Sequence, residues 1–202
     1  MKFKNLVLLL ILVVNFSFGQ GNIKLTSYYG SSNQETQKIL DFENINIEQL
    51  DFEAKDLKGK QYLINIQEFT DGKLVNKSVL FDGFEGDYFK IKGNKESLNF
   101  LFKMTDGKLK AQIACSRFSS KKSYFDLKDN ADNYALKDFF GSKKELFLDP
   151  TQETAILAII TPTKLDNGNS SYCEVVQSNV KPEKLGEHFK IPHYFLITIL
   201  FK

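Results

Sequence analysis

The sequence has few of the residues from which metal centres are built. Its 202 residues include two cysteines, two histidines and no tryptophan. Two cysteines and two histidines do not form a recognised set of zinc ligands, and the segment between His188 and His193 contains Pro192. We therefore expect no metal and no cofactor, and we interpret both histidines as ordinary polar residues at the entrance of a strand.

Arginine is also scarce, since Arg117 is the only one in the chain. Surfaces that recognise phosphate or carboxylate favour arginine, because its planar guanidinium binds both in a two-pronged way. The chain has 27 Lys+Arg against 25 Asp+Glu, but Lys2 and Lys4 belong to an N-terminal targeting segment. The remainder is formally neutral, so it has no long-range field that would attract nucleic acid, and we expect no nucleic-acid partner.

Long apolar runs are missing as well. The apolar stretch at residues 6–14 follows Lys2 and Lys4 and precedes the small residues Ser17 and Gly19, which is the pattern of a secretory signal peptide. It is much shorter than the roughly 20 residues that span a bilayer. We interpret residues 1–19 as the signal and residues 20–202 as a single mainly-β domain without a transmembrane helix. The product would be exported from a bacterial cytoplasm and would be periplasmic, secreted or at the cell surface.

The two cysteines, Cys115 and Cys173, both lie in the exported part. An oxidising compartment favours a disulfide between them, and a loop of this length would stabilise the fold by about 4 kcal/mol in the chain-entropy treatment. The alternative is two buried free thiols on separate strands.

Alternation of apolar and polar residues predicts strands through most of the chain. The clearest pair covers residues 97–104 and 109–116, joined by a turn that contains Asp106 and Gly107. The same turn chemistry recurs at Asp71 and Gly72, between strands near residues 62–66 and 74–81. Asp-Gly supplies the positive φ angles of a tight hairpin, so both units are predicted to be antiparallel hairpins.

Later segments have a different pattern. Residues 155–160 and 194–201 are continuously apolar, which predicts strands covered on both faces. Another strand is expected at residues 172–177, after a turn at residues 166–169. Helices are expected only at residues 131–140, with Asp129 or Asn130 as N-cap, and as a short turn at residues 182–189. The predicted fold class is all-β and mainly antiparallel: a β-sandwich or barrel of about nine to eleven strands built from β-meanders, with one or two short helices.

Candidate ligand-binding residues come from two unusual features. Arg117 shares the apolar face of Cys115 if that strand continues, where it would need a carboxylate partner or an anionic ligand; the simpler interpretation is an exposed charge at a strand end. Aromatic residues also fall near turns, where they can stack on sugars or fill a partner's pocket, although aromatic residues at strand ends more often belong to the core. The predicted ligand-binding residues are Arg117, Phe84, Tyr88 and Tyr124.

No catalytic signature stands in the sequence, which for example lacks the Gly-x-Ser-x-Gly pattern of a serine nucleophile. We therefore expect an exported, non-catalytic binding module of the bacterial cell envelope, with a glycan, peptide or protein as its ligand. Two alternatives remain open: a β-barrel-like carrier of an apolar small ligand, and an envelope hydrolase that uses carboxylates from loops.

Overall fold

A computed structural model of the protein describes residues 22–164, 170–172 and 179–202. The expected signal peptide, Cys173, the turn at residues 166–169 and most of the strand expected at residues 172–177 lie outside this range. Within it, none of the helices has the length and apolar character required to cross a membrane.

The larger sheet has six antiparallel strands. In spatial order they are β7 (Ser123–Asp126), β6 (Lys108–Ala114), β5 (Lys95–Thr105), β2 (Ile45–Glu53), β1 (Ile23–Tyr29) and β9 (Leu146–Leu148). Every second residue of β5, from Glu96 to Met104, is buried. The predicted hairpin of β5 and β6 is confirmed, with Thr105 opposite Lys108 at the turn.

The second sheet has five antiparallel strands and packs face to face on the first. In spatial order they are β4 (Lys73–Asp82), β3 (Tyr62–Thr70), β13 (His193–Phe201), β10 (Thr154–Ile160) and β8 (Ala135–Asp138). Two short strands, β11 (Thr163–Lys164) and β12 (Ser170–Ser171), pair with each other as a separate two-stranded antiparallel sheet. The predicted antiparallel, mainly-β fold is confirmed, and its two main sheets form a β-sandwich.

The main core lies between the two sheets and is rich in aromatic side chains. Phe52 of β2 meets Phe201 of β13 edge to face, with ring centroids 5.4 Å apart, and Phe201 also meets Tyr62 of β3 at 6.1 Å. Each of these side chains occupies an inward position of its strand, where inward and outward residues alternate, as in other antiparallel sandwiches.

A smaller core covers the outer face of the second sheet. There the rings of Phe69 and Tyr194 stack with centroids 4.6 Å apart, and Leu185 and Ile191 from the segment before β13 pack beside them. This segment contains a 3-10 turn (Pro182–Lys184) and helix α2 (Leu185–Phe189). β10 and β13 are therefore covered on both faces, which confirms the interpretation of their continuous apolar sequences.

Both Asp-Gly turns adopt the expected positive φ angles, but their surroundings differ. The φ angle is 74° at Gly72 and 69° at Gly107. A Cβ atom on Gly107 would meet nothing within 4 Å, whereas one on Gly72 would lie 3.0 Å from the backbone nitrogen of Glu187. Gly186 is equally close, because its own Cβ would lie 3.0 Å from the Cα of Gly72. The first turn is thus packed against the start of α2, while the second has open space on the side of a Cβ and accepts a hydrogen bond from the Leu127 amide at the Gly107 carbonyl.

The helix predicted at residues 131–140 is wrong. Asn130 does cap a turn, because its side chain accepts a hydrogen bond from the Asp132 backbone, but this 3-10 helix ends at Asn133. Residues 135–138 then form β8 and pair with β10, so strand pairing overrides the local helical signals.

A helix that we did not predict occupies Gln34–Phe42 and is named α1 here. The side chain of Asn33 caps it by accepting a hydrogen bond from the Thr36 backbone at 2.9 Å. None of its residues is buried; the helix is only nine residues long, and its apolar side chains Ile39 and Phe42 face outward instead of joining the core.

Candidate functional site

On one side of the sandwich the edge strand β4 faces the loop that follows β6. A cleft of about 420 Å³ lies there. The end of β4, two short 3-10 turns and the loop after β6 line it, with the residues Val79, Leu80, Phe81, Asp82, Glu85, Phe89, Phe118, Ser119, Ser120 and Lys121. We call this the β4 cleft.

β4 differs from the other edge strands in length. It has ten residues, while β7 and β8 have four each and β9 has three. Its pairing with β3 shifts register twice, once between Asn76 and Leu74 and once between Phe81 and Val79. Such bulges twist an edge strand and interrupt its regular hydrogen-bonding pattern. The regularly paired part next to the cleft is therefore short.

Aromatic rings form one wall of the β4 cleft. Phe81 and Phe118 stack with centroids 4.8 Å apart, and Phe89 meets each of them edge to face at 5.2 and 5.1 Å. Stacked and edge-to-face arrangements are the favourable geometries for aromatic pairs. The wall is thus a fixed apolar surface to which β4, a 3-10 turn and the loop after β6 each contribute one ring.

Arg117 and Tyr88 lie beside this wall and bind one another's backbone. Arg117 Nη1 donates to the carbonyl of Tyr88 at 2.9 Å, and the Tyr88 hydroxyl donates to the carbonyl of Arg117 at 3.0 Å. The guanidinium also lies 5.4 Å from the ring centroid of Phe118. These contacts fix the loop after β6 against the 3-10 turn that carries Tyr88.

A buried carboxylate completes the Arg117 cluster. Arg117 Nη2 donates to Glu96 Oε1 at 3.2 Å, and the Tyr62 hydroxyl donates to the same oxygen at 3.4 Å. Burial, reinforced by the charge of Glu96, raises the pKa of Tyr62 far above its usual range, so Tyr62 remains a neutral donor. The expectation that Arg117 is an exposed strand-end charge is wrong, because its side chain is 22% exposed and paired with Glu96.

The other two predicted ligand-binding residues lie apart from the Arg117 cluster. Phe84 sits in the 3-10 turn after β4, and the Lys202 ammonium lies 4.5 Å from its ring centroid. Tyr124 is exposed on β7. The structure therefore brings Arg117 and Tyr88 together and leaves Phe84 and Tyr124 in other surroundings. Glu96 was missed, although strict alternation places it on the inward side of β5 with Leu98, which is the signal that would have identified it.

Cys115 lies two residues before Arg117 and is half-buried. It forms no disulfide within the described residues, and Cys173 is outside them, so the bridge stays a prediction. A second cavity of about 560 Å³ adjoins Cys115; the other residues that line it are polar, namely Lys95, Glu96, Ser97, Asn99 and Ser116. The loop after β6 thus contributes to two cavities, one aromatic and one polar.

A second buried ionisable cluster is centred on His193, the first residue of β13. The Tyr134 hydroxyl is 2.5 Å from His193 Nδ1, and Glu68 Oε1 is 3.1 Å from His193 Nε2. Because the Tyr134 oxygen already accepts from the Lys128 backbone at 3.1 Å, the consistent assignment is that Tyr134 donates to Nδ1 and Nε2–H donates to Glu68. Every member of this chain is satisfied when the imidazole is neutral.

Burial supports the same protonation state. His193 is only 1% exposed, and burial lowers its pKa more than the neighbouring Glu68 carboxylate raises it. The sequence placed His193 correctly at a strand entrance, but it did not show that Tyr134 and Glu68 would meet it.

Glu48 of β2 is, like Glu96, a buried carboxylate, and it is 3% exposed. Burial, together with the charge of Asp138, raises its pKa to about 7, although a hydrogen bond from the Ser27 hydroxyl acts in the opposite direction. It therefore differs from Glu96 and Glu68, each of which contacts a basic side chain.

Within the described residues, no three His, Cys, Asp or Glu side chains are grouped closely enough to hold a metal ion. Comparison with known protein families, with curated proteins and with solved structures finds no match to this chain. Inference about function therefore rests on the geometry of the sites themselves.

Proposed function

We propose that the chain is an exported, non-catalytic binding module of the bacterial envelope and that its ligand is an extended polypeptide segment. The segment would lie along the free edge of β4 and place an apolar side chain in the β4 cleft. The observation that carries the proposal is the coincidence of the longest edge strand among those described with an aromatic-walled cleft.

An edge strand offers backbone donors and acceptors to an incoming strand. Peptide-binding domains use this mode of recognition, in which main-chain hydrogen bonds supply affinity and pockets for alternate side chains supply specificity. Among the described strands, only β3 pairs with β4, so its other side is the candidate edge. The two register shifts restrict regular pairing near the cleft to Asn76–Val79, which favours a short paired segment.

The surface around β4 carries charges of both signs. Lys77 is paired with Glu153 at 2.8 Å, and the same carboxylate accepts a hydrogen bond from Thr198 at 2.5 Å. In the cleft itself, Asp82 and Glu85 are accompanied by Lys121. The selectivity of the cleft would therefore come from its aromatic wall, which favours an apolar or aromatic side chain over a charged one.

The described interior does not favour a ligand-carrying function. The inward side chains of the two sheets are packed against one another, and several of the largest are fully buried, including Tyr62, Phe52, Phe100 and Phe195. We therefore propose that the ligand binds at the surface, in the β4 cleft.

Panning of the purified protein against a phage-displayed library of random peptides tests the proposal, with a glycan array as the comparison. We expect selected peptides to share an apolar residue, and we expect Val79→Asp to weaken their binding at least tenfold because Val79 lines the cleft. Val75→Asp is the matched control, since Val75 is similarly exposed on the same strand but does not line the cleft.

If the protein bound glycans on the array and selected no peptides, the proposal of a polypeptide ligand would be wrong. Selected peptides whose affinity is unchanged by Val79→Asp would show that the β4 cleft is not the binding site. Equal losses for Val79→Asp and Val75→Asp would indicate a general effect of charge on this strand.

A further inference from the structure

Helix α1 exposes large apolar side chains that have no partner in the described part of the chain. Phe42 is 87% exposed and Ile39 is 63% exposed. Residues three apart in a helix lie on the same face, so the two side chains belong to one apolar surface. Contiguous apolar surface of this kind, rimmed by polar residues, commonly marks an interaction site.

A groove of matching character lies next to this helix on the outer side of the larger sheet. Its volume is about 170 Å³, and it is lined by Ile45, Leu101, Phe102, Lys103, Lys110, Gln112 and Lys122. The lining is thus an apolar floor with a rim of three lysines. A cavity of about 150 Å³ accommodates a benzene ring, so the groove is large enough for one aromatic side chain.

The helix and the groove belong to one continuous surface. Glu43, the residue directly after Phe42, forms an ion pair of 2.6 Å with Lys103 of the groove rim. Lys103 lies opposite Ile45 in the pairing of β5 with β2. The same patch therefore carries both a projecting aromatic side chain and a groove, which is what a two-fold symmetric contact between identical chains requires.

The charges on the two parts are complementary. Of the ion pairs formed by the described residues, none includes Lys110 or Lys122, and none includes Glu35 or Asp41 of α1. The groove rim is thus basic, while Glu35 and Asp41 give the helix two acids outside any ion pair; Asp41 accepts a hydrogen bond from Gln37 at 2.6 Å. Opposite charges of this kind favour association of the two surfaces and select its orientation.

We propose that this surface joins two copies of the chain in a symmetric homodimer. Phe42 of each copy occupies the groove of the other, and Asp41 approaches Lys110 and Lys122 across the interface. Because the two contacts are related by a two-fold axis, each is made twice, and the assembly closes at the dimer.

Sedimentation velocity on the purified protein over a range of concentrations tests this proposal. We expect a concentration-dependent dimer, and we expect Phe42→Asp to be monomeric over the same range. Phe42→Asp should fold, since the side chain is almost fully exposed. Phe147→Asp is the matched control and should remain dimeric, since Phe147 is an exposed phenylalanine on β9, at an edge of the larger sheet.

A charge exchange tests the orientation. Lys110→Glu together with Lys122→Glu should weaken the dimer several-fold, and Asp41→Lys in the same chain should restore it, because both pairs are then reversed in both copies. A monomeric wild-type protein at every concentration, a dimer that survives Phe42→Asp, or an open series of larger polymers would each overturn the proposal.

Discussion

Each end of β3 takes part in a cluster of one tyrosine, one carboxylate and one basic side chain. At its start, Tyr62 and Arg117 both bind the Glu96 carboxylate. Near its other end, Glu68 and Tyr134 bind the two nitrogens of His193. Tyr62 and Glu68 are six residues apart, or roughly 20 Å along a strand, so the two clusters are separate sites in one sandwich.

The difference between the clusters is the basic group. Arginine stays charged at every physiological pH, so Glu96 always faces a full positive charge. Histidine can be neutral, and the hydrogen bonds around His193 are satisfied in its neutral form. The two clusters therefore stabilise a carboxylate in two ways. Glu96 forms a permanent ion pair with Arg117, whereas Glu68 accepts a hydrogen bond from a neutral imidazole that Tyr134 holds in place. Only the second should respond to pH near neutrality.

Removal of the permanent cation should have the largest effect. Arg117→Met leaves the 9% exposed Glu96 carboxylate without its cation, and we expect the free energy of unfolding at pH 7 to fall by about 3 kcal/mol. Urea denaturation measures this change. Lys95→Met, also on β5, removes an ion pair between an exposed lysine and the half-buried Asp51, and it should cost less than about 1 kcal/mol because the cation lies in solvent. Equal losses for the two variants would show that Arg117 acts as a surface charge.

A buried carboxylate without a basic partner sharpens the comparison. The pKa of Glu48 is raised to about 7 from 4.5, so its contribution to stability is complete below about pH 4.5 and is lost as the pH rises through 7. The stability of Glu48→Gln relative to wild type should therefore increase by about 3 kcal/mol from pH 4.5 to pH 8.

Urea titrations at several pH values give the Glu48 difference directly. Glu53→Gln is the control on the same strand, because Glu53 is exposed and paired with Lys24, and it should show no comparable trend. A flat difference between wild type and Glu48→Gln would mean that Glu48 stays ionised in the folded protein.

The His193 cluster should respond to pH in the opposite direction. Because burial lowers the pKa of His193 below 6.5, its contribution is present above pH 6.5 and is lost as the pH falls towards the folded-state pKa. The free energy of unfolding falls by about 1.4 kcal/mol for each pH unit over which the His193 imidazole is protonated in the unfolded chain but not in the folded protein. The difference between wild type and His193→Gln should show this slope below pH 6.5.

His188→Gln provides the control for that measurement. His188 is exposed on α2, so its removal should leave the pH dependence of stability unchanged. The assignment of His193 as the sensor would be abandoned if His188→Gln, rather than His193→Gln, removed the slope.

Removal of a single hydroxyl group, from Tyr134 or from Tyr62, should lower the free energy of unfolding least. Tyr134→Phe removes the donor to His193 and the acceptor of the Lys128 amide, which should cost about 1 to 2 kcal/mol. Tyr62→Phe removes one long hydrogen bond of 3.4 Å and should cost less than about 1 kcal/mol. Thermal unfolding ranks the two variants, and the reverse order would contradict the geometry.

Local patterns predicted the parts of the fold that local rules control. The alternation in β5 and β6 and the Asp-Gly turns at Gly72 and Gly107 are confirmed because period and turn chemistry are written in adjacent residues. The helix expected at residues 131–140 was wrong because β10, distant in sequence, recruits residues 135–138 as a strand.

The candidate site was predicted only in part for the same reason. Arg117 and Tyr88 were named individually, but their mutual hydrogen bonds depend on how the loop after β6 packs on a 3-10 turn. The positions of the three carboxylates could be predicted, because Glu48, Glu68 and Glu96 stand where the alternation of each strand directs a side chain inward. What alternation cannot supply is the identity of the basic or hydroxyl partner, because that partner comes from another element.

The contrast between the two Asp-Gly turns bears on how the chain can be re-engineered. The side of Gly107 on which a Cβ would project is open, while its carbonyl accepts a hydrogen bond from the Leu127 amide at 2.8 Å. A tag, a fluorophore-bearing loop or new chain ends for a circular permutant are therefore best placed just before Gly107, where that hydrogen bond is kept. Gly72 has the same local sequence but touches Gly186 and Glu187. An insertion at Gly72 would lift α2 from the second sheet and uncover Phe69 and Tyr194.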